Sequence, residues 1–302
     1  MSTTTAEREL DLRLPLAIVG AAMLAAFVPL WALLVGPILF GVPHVIGDVR
    51  VLWLARPGGF GGRVALAVAL ALVSLTALRV ATLCGWPMPI EAELACGLAA
   101  VASAAIGGAR NGTTRVAWAF GIGALGGLAL ASARESLLVL AHAHNLVAIS
   151  LWCVWQRERR AAAVVALVYA VGTAVVVGMA DSEASTDVIG SFEGARLARE
   201  LAPGFSSSTA DALLRSFAFA QLVHYGIWSW QLPGGAQRPL RDEIGKFGIA
   251  LCTVACIAIP LCGLGAPVAT RATYLQLAIA HGWIELAVLS YLLARGGAAR
   301  AP

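Results

Sequence analysis

Long apolar runs, separated by short polar stretches, dominate the chain from residue 15 to residue 294. In hydrocarbon every backbone amide must be hydrogen-bonded within its own element, so an apolar run of about 20 residues predicts a membrane-spanning helix. Ten runs fit, at residues 15–35, 38–55, 64–84, 94–109, 116–133, 136–155, 161–180, 212–231, 247–267 and 272–294. Only Gly36 and Pro37 separate the first two runs, and the fourth run is short. The pattern therefore predicts eight to ten spanning helices.

The polar stretches between these runs alternate in charge. One side of the membrane receives most of the basic residues, and the other side receives most of the acidic ones. By the positive-inside rule, both termini are expected in the cytoplasm of a bacterial-type inner membrane. Residues 181–211 form the longest loop, on the outer side. Within it, residues 191–201 suit either a short interfacial helix, which would act as a lid, or a solvated connector.

Composition agrees with a membrane protein. The chain has 302 residues, of which 59% are hydrophobic and 13% are charged, whereas about a quarter of a soluble domain is charged. We therefore expect an all-α, polytopic helical bundle that forms one integral membrane domain over residues 1–302. The net charge of +4 is explained by loop arginines, and no basic run is interleaved with aromatic residues. Membrane lipids and small molecules are the expected partners, and nucleic acid is not.

The five histidines all fall within predicted spanning helices. Counted from the outer end of each helix at 1.5 Å per residue, they lie about 9 to 18 Å into the membrane. Four different helices thus carry imidazole groups into one slab of the outer half of the bilayer, which predicts a shared site. The candidate metal ligands are His44, His142, His144, His224 and His281.

Polar residues accompany three of these histidines. Asp48 follows His44 by one helical turn, Glu285 follows His281 by one turn, and Tyr225 is next to His224. Carboxylates inside a membrane are costly and normally face a bundle interior with a partner. A carboxylate beside a metal-binding imidazole fixes the tautomer and orientation of the ring. Asp48, Glu285 and Tyr225 are therefore the candidate catalytic residues, and the two carboxylates are the only ones expected inside the membrane.

His142 and His144 are two residues apart, about 200° around a helix, so a regular helix points only one of them at a given metal. The polar stripe that His142 shares with Glu135 and Asn145 favours His142. The depth of His144, nearer to those of His281 and His224, favours His144. A π-bulge, a distortion common at functional sites, would allow both to bind.

Nitrogen ligands suit iron, zinc or copper, and the histidines alone do not choose between these metals. Haem held by two of the histidines, a proton relay and a purely structural polar core are the alternatives. Sequence motifs of hydrolases and nucleotide-driven pumps, such as G-x-S-x-G and the Walker A motif, are absent. No C-x2-C pair is present either, so a sulfur-ligated site is not expected.

The segment from Phe40 to Arg50, with Pro43, His44 and Asp48, resembles the Pro-His-x3-Asp motif of the Brp/Blh family of membrane β-carotene 15,15′-dioxygenases. The resemblance covers about a dozen residues. It implies a multi-pass helical protein with non-haem iron held by histidines from several helices, and His44 is the ligand that it carries over. The paired His-x3-His of that family, late in the chain, is not found here.

These observations favour a membrane metalloprotein, expected to be a non-haem iron oxygenase that oxidises a lipophilic substrate, such as a carotenoid or lipid, with dioxygen. Trp228, Trp230 and Trp283 lie near the histidines and are candidates to line its pocket, with an interfacial or packing role as the alternative. Two alternatives stay open. One is a transporter or metal- or proton-handling protein that uses the same histidines and carboxylates, and the other is a haem-binding electron carrier. The pattern identifies no protein partner.

Overall fold

A computed structural model of the chain describes residues 12–49, 59–155, 159–180, 196–197, 200–228 and 240–296. The described residues form helices and contain no strand. The helices are α1 (Arg13–Phe27), α2 (Pro29–Asp48), α3 (Gly62–Leu83), α4 (Ile90–Gly108), α5 (Gly112–Ala131), α6 (Ala133–Trp155), α7 (Arg159–Gly178), α8 (Ser207–Gly226), α9 (Leu240–Gly265) and α10 (Pro267–Ala294).

Eight of these helices, namely α2 to α7, α9 and α10, are long and apolar enough to cross a membrane. This confirms the predicted all-α, polytopic bundle. Of the other two, α1 has 15 residues, and α8 is the most polar stretch of the bundle although its central residues are buried. The direction in which the bundle crosses the membrane stays a prediction from the loop charges, and so does the single-domain organisation.

The boundary between the first two helices was placed wrongly at Gly36 and Pro37. In the structure α1 ends at Phe27, and α2 begins with Pro29 and continues through Pro37 and Pro43. A proline at the first helical position costs nothing, because that N–H would have no helical partner. Pro37 is tolerated in the middle of α2 because the carbonyl that it leaves without a donor accepts a hydrogen bond from another helix.

The fourth helix is longer than its apolar run, since α4 has 19 residues and starts at Ile90. Its first turn contains Glu91 and Glu93, which the sequence had assigned to a loop. Glu93 is buried, and its Oε2 forms an ion pair of 2.5 Å with the Nη2 of Arg79 on α3. Glu93 is therefore a buried carboxylate in the bundle in addition to Glu285. Whether Asp48 and Glu285 are the only carboxylates inside the membrane stays a prediction.

The centre of the bundle is formed by α10 and α8. Helix α10 packs against α2, α3, α4, α6 and α9, and α8 packs against α1, α2, α6 and α7. Helix α5 and the apolar span of α9 lie at the periphery, because almost none of their residues are buried. The three helices that meet around the middle, α2, α8 and α10, each carry one of the predicted histidine ligands.

The predicted loop at residues 181–211 is shorter than expected at its C-terminal end, because α8 already begins at Ser207. The Oγ of Ser206 caps this helix by accepting a hydrogen bond of 3.4 Å from the backbone N–H of Thr209. Residues 196–197 and 200–201 are helical, which agrees with part of the predicted interfacial helix. Residues 181–195 and 198–199 lie outside the described residues.

Candidate metal centre

Three histidines from three helices meet in the interior of the bundle. His44 on α2 and His224 on α8 are fully buried, and His281 on α10 lies against both. One ring nitrogen of each lies within 4.8 Å of those of the other two. Two nitrogens that bind one ion at about 2.1 Å are at most about 4.2 Å apart. Small side-chain movements would therefore bring all three nitrogens onto one metal ion.

The rings of the clustered histidines contact one another but are not stacked. His44 and His281 have centroids 4.7 Å apart and planes at 85°. His44 and His224 are 5.2 Å apart at 73°. The rings are therefore in contact without stacking, and the short distances between their nitrogens come from the positions of the three helices.

His144 on α6 is the fourth member of the cluster. Its ring centroid is 5.2 Å from that of His224 and 5.5 Å from that of His281. The close approach of α6 to α10 depends on Gly282, because a Cβ at that position would lie only 3.3 Å from the His144 ring. An alanine at position 282 would require the His144 ring or the helix to move by a few tenths of an ångström.

Backbone carbonyls fix the tautomer of two of these rings. The Nδ1 of His144 lies 3.0 Å from the carbonyl oxygen of Ala141, and the Nδ1 of His281 lies against the carbonyl oxygen of Ala278. A carbonyl only accepts hydrogen bonds, so Nδ1 carries the proton in both rings and Nε2 keeps its lone pair. Such an imidazole is ready to bind a metal through Nε2. Among the described residues, the Nε2 of His281 has no hydrogen-bond partner.

Glu285 also belongs to this centre and is fully buried. The sequence associates it with His281 on the same helix, whereas in the structure its Oε1 lies 3.3 Å from the Nε2 of His224 on α8. A small side-chain movement would let this carboxylate accept a hydrogen bond from the Nε2–H of His224, which leaves Nδ1 for a metal. It can also offer its own oxygen as a ligand. The centre thus combines imidazole and carboxylate groups.

Of the other two candidate catalytic residues, the structure describes the side chain of Tyr225 but not that of Asp48. The ring of Tyr225 is 4.6 Å from that of His44 and is inclined to it by 47°. Tyr225 therefore lies next to the cluster, and its catalytic role stays a prediction. Asp48 is the last residue of α2, but its side chain lies outside the described residues.

His142 does not join the other histidines. Its Nε2 is 2.9 Å from the carbonyl oxygen of Leu201, and its ring meets Phe217 edge-on at 4.9 Å. Helix α6 is continuous here, so His142 and His144 point in different directions, as a regular helix requires. His142 thus connects α6 to the segment before α8, and the depth argument for His144 agrees with the observed geometry.

A cavity of about 1040 Å³ leads to the cluster. It lies between the N-terminal halves of α6 and α10, with α8, the end of α3 and residues 200–205 completing its walls. His144 and His281 line it, together with mostly apolar side chains. Of the three tryptophans expected at the pocket, Trp283 lines this cavity, Trp228 is buried in the core, and Trp230 lies outside the described residues.

Charged residues that the sequence places near the ends of its apolar runs or between them surround the outer part of this cavity. Arg79, Arg134 and Arg271 line it, and so do Glu135 and Glu200. Arg271 is inside α10, is almost fully buried and has an Nη1 that lies 3.5 Å from the Oε2 of Glu200. These five charged residues form the charged rim of the cavity. Hydropathy along the chain could not predict that they lie together, because each lies near the end of an apolar run or between two runs.

No protein-family model matches the chain, and comparisons with curated proteins and with solved structures also give no match.

Proposed function

We propose that the protein is a membrane metalloenzyme in which His44, His224 and His281, joined by His144, bind a non-haem iron ion and oxidise a lipophilic substrate. The observation that carries the proposal is that the histidine cluster is open on one side. A structural metal site is closed by its protein ligands, whereas a catalytic site keeps a position free for substrate. Here two of the clustered histidines also line a cavity large enough for a small molecule.

Imidazole ligands with a carboxylate beside them, as Glu285 lies beside His224, suit zinc as well as iron. Iron is proposed rather than zinc because zinc has no redox chemistry. Bound iron would supply the redox chemistry that lets dioxygen react with an organic molecule. The resemblance of the segment around His44 to the Brp/Blh dioxygenases supports oxidation by dioxygen at an iron ion. A carotenoid is one lipophilic substrate that would suit the apolar cavity.

The protein groups would act on the site in distinct ways. Glu285 would hold the ring of His224 by accepting a hydrogen bond from its Nε2–H. The carbonyls of Ala141 and Ala278 would hold the rings of His144 and His281. The apolar walls of the cavity would exclude water and thereby protect reactive species from hydrolysis.

Elemental analysis and an absorption spectrum of detergent-purified protein test this proposal. About one iron per chain without a Soret band is the expected result. His44→Ala, His224→Ala and His281→Ala should each lose the iron, while His142→Ala should keep it. A Soret band would indicate haem instead. Wild-type protein that retains no metal after purification and reconstitution would contradict the proposal and favour the transporter hypothesis.

A further inference from the structure

The inner part of the large cavity contains a buried polar group that the metal centre does not use. Gln221 lies on α8, one turn before His224, and lines the cavity together with His144 and His281. Only 4% of its surface is exposed. Its Oε1 is buried and has no hydrogen-bond partner among the described residues. Buried polar atoms are nearly always hydrogen-bonded, so one without a donor needs an explanation.

The walls of the cavity show what kind of molecule would supply the donor. Arg134 precedes His144 by ten residues on α6, and Arg271 precedes His281 by ten residues on α10. The charged rim therefore lies about 15 Å along the helix axes from the histidines. Between the charged rim and the histidines, the cavity is lined mainly by leucine and isoleucine, for example Leu140 and Ile279. An occupant must be apolar along its length to fill this stretch.

We propose that the cavity binds an elongated lipophilic alcohol, with its hydroxyl group at the inner end. The hydroxyl donates a hydrogen bond to the Oε1 of Gln221, and the apolar body lies between α6 and α10. The end of the molecule that carries the hydroxyl is then next to His144 and His281. Gln221 is thus a specificity-determining residue. This inference rests on the proposed function, because it assigns a substrate class to the same site.

A hydrocarbon of the same length would fit the walls equally well but would leave the amide oxygen without a donor. Discrimination by a buried hydrogen-bonding group is strong because the wrong ligand leaves that group unpaired. An ether oxygen accepts hydrogen bonds but cannot donate them. The contrast between an alcohol and its methyl ether tests for a hydrogen bond from the ligand, since both partition into detergent and lipid through the same chain. Substitutions of Gln221 then distinguish its amide oxygen from another acceptor on the cavity wall, the Nε2 of His281.

The test measures the binding of 1-dodecanol and of its methyl ether to the metal-free, full-length protein in detergent, from the rise in unfolding temperature with ligand concentration. The alcohol is expected to bind about tenfold more tightly. Gln221→Met should reduce this ratio to about one. Gln221→Asn, which withdraws the amide by one methylene, should reduce it too, so the result does not depend on one variant folding. Leu222→Met, the neighbouring position on α8, should preserve it.

Equal binding of the two probes to the wild-type protein would overturn the inference. A preference for the alcohol that persists in Gln221→Met would also overturn it, because the donor would then be recognised elsewhere. Binding of neither probe would overturn it as well. None of these outcomes bears on iron retention, which is measured separately, so failure of this inference is distinguishable from failure of the proposed metal centre.

Discussion

Arg271 donates a hydrogen bond of 2.9 Å from its Nε to the backbone carbonyl of Leu33, in the second turn of the neighbouring helix α2. In an uninterrupted helix that carbonyl accepts from the N–H four residues later, but residue 37 is a proline and has none. A similar contact is found at the end of α1, where Arg215 donates to the carbonyl of Ala26. Two buried arginines thus satisfy backbone carbonyls at the breaks and prolines of the first two helices.

Arg271→Met is expected to lower the free energy of unfolding by about 1–3 kcal/mol, because the carbonyl of Leu33 is left buried without a donor. Pro37→Ala restores a backbone N–H and should recover part of the loss in the Arg271→Met background. Denaturant titrations of the four proteins in detergent give the double-mutant cycle. The interaction energy should be about 1 kcal/mol. If the two substitutions changed the free energy of unfolding additively, the carbonyl of Leu33 would not couple Arg271 to Pro37.

His144 and His142 are expected to differ in their effect on metal binding. His144→Ala should lower metal affinity, because its ring is part of the cluster, whereas His142→Ala should leave the metal content of the purified protein unchanged. Removing the contact of His142 with Leu201 should instead lower the unfolding temperature. Competition with a chelator, followed by elemental analysis, measures the affinities. Loss of metal in the His142 variant alone would contradict the assignment.

Glu285→Gln is expected to weaken metal binding by about 10- to 100-fold, the usual effect of removing a carboxylate that orients a metal-binding imidazole. The amide is nearly the same size, so packing around His224 changes little. Glu91→Gln is the matched control, because Glu91 is exposed in the first turn of α4. The same chelator competition applies to both variants. Equal affinities in the two variants would mean that Glu285 serves packing only.

Removing one partner of the ion pair between Arg79 and Glu93 is expected to destabilise the protein, because the remaining charged side chain loses its counter-charge. Arg79→Met alone should cost about 3–5 kcal/mol, since it leaves the carboxylate of Glu93 buried without its cation. Adding Glu93→Leu should recover most of this loss, because two apolar side chains replace both charges. Unfolding in detergent provides the free energies. A double variant as unstable as the single one would indicate a different role for the pair.

The metal centre shows how far spacing along the chain can predict a site. Depth along four helices predicted that His44, His224 and His281 would lie together, because the length of a spanning helix fixes the height of each residue. The choice between His142 and His144 was beyond the sequence. It depends on how α6 is rotated about its axis, and that rotation is set by its packing against α8 and α10.

The sequence by itself determined the class of the protein, since apolar runs of membrane-spanning length leave the backbone few other structures than helices. It also determined the set of histidines from which a site would be built. Only the tertiary structure decided that Glu285 faces His224, that Arg271 serves a carbonyl of α2, and that Glu93 is buried against Arg79. These contacts join residues of different helices. The physical reason is that helix rotation and tilt are set by side-chain packing between neighbours, which no local pattern encodes.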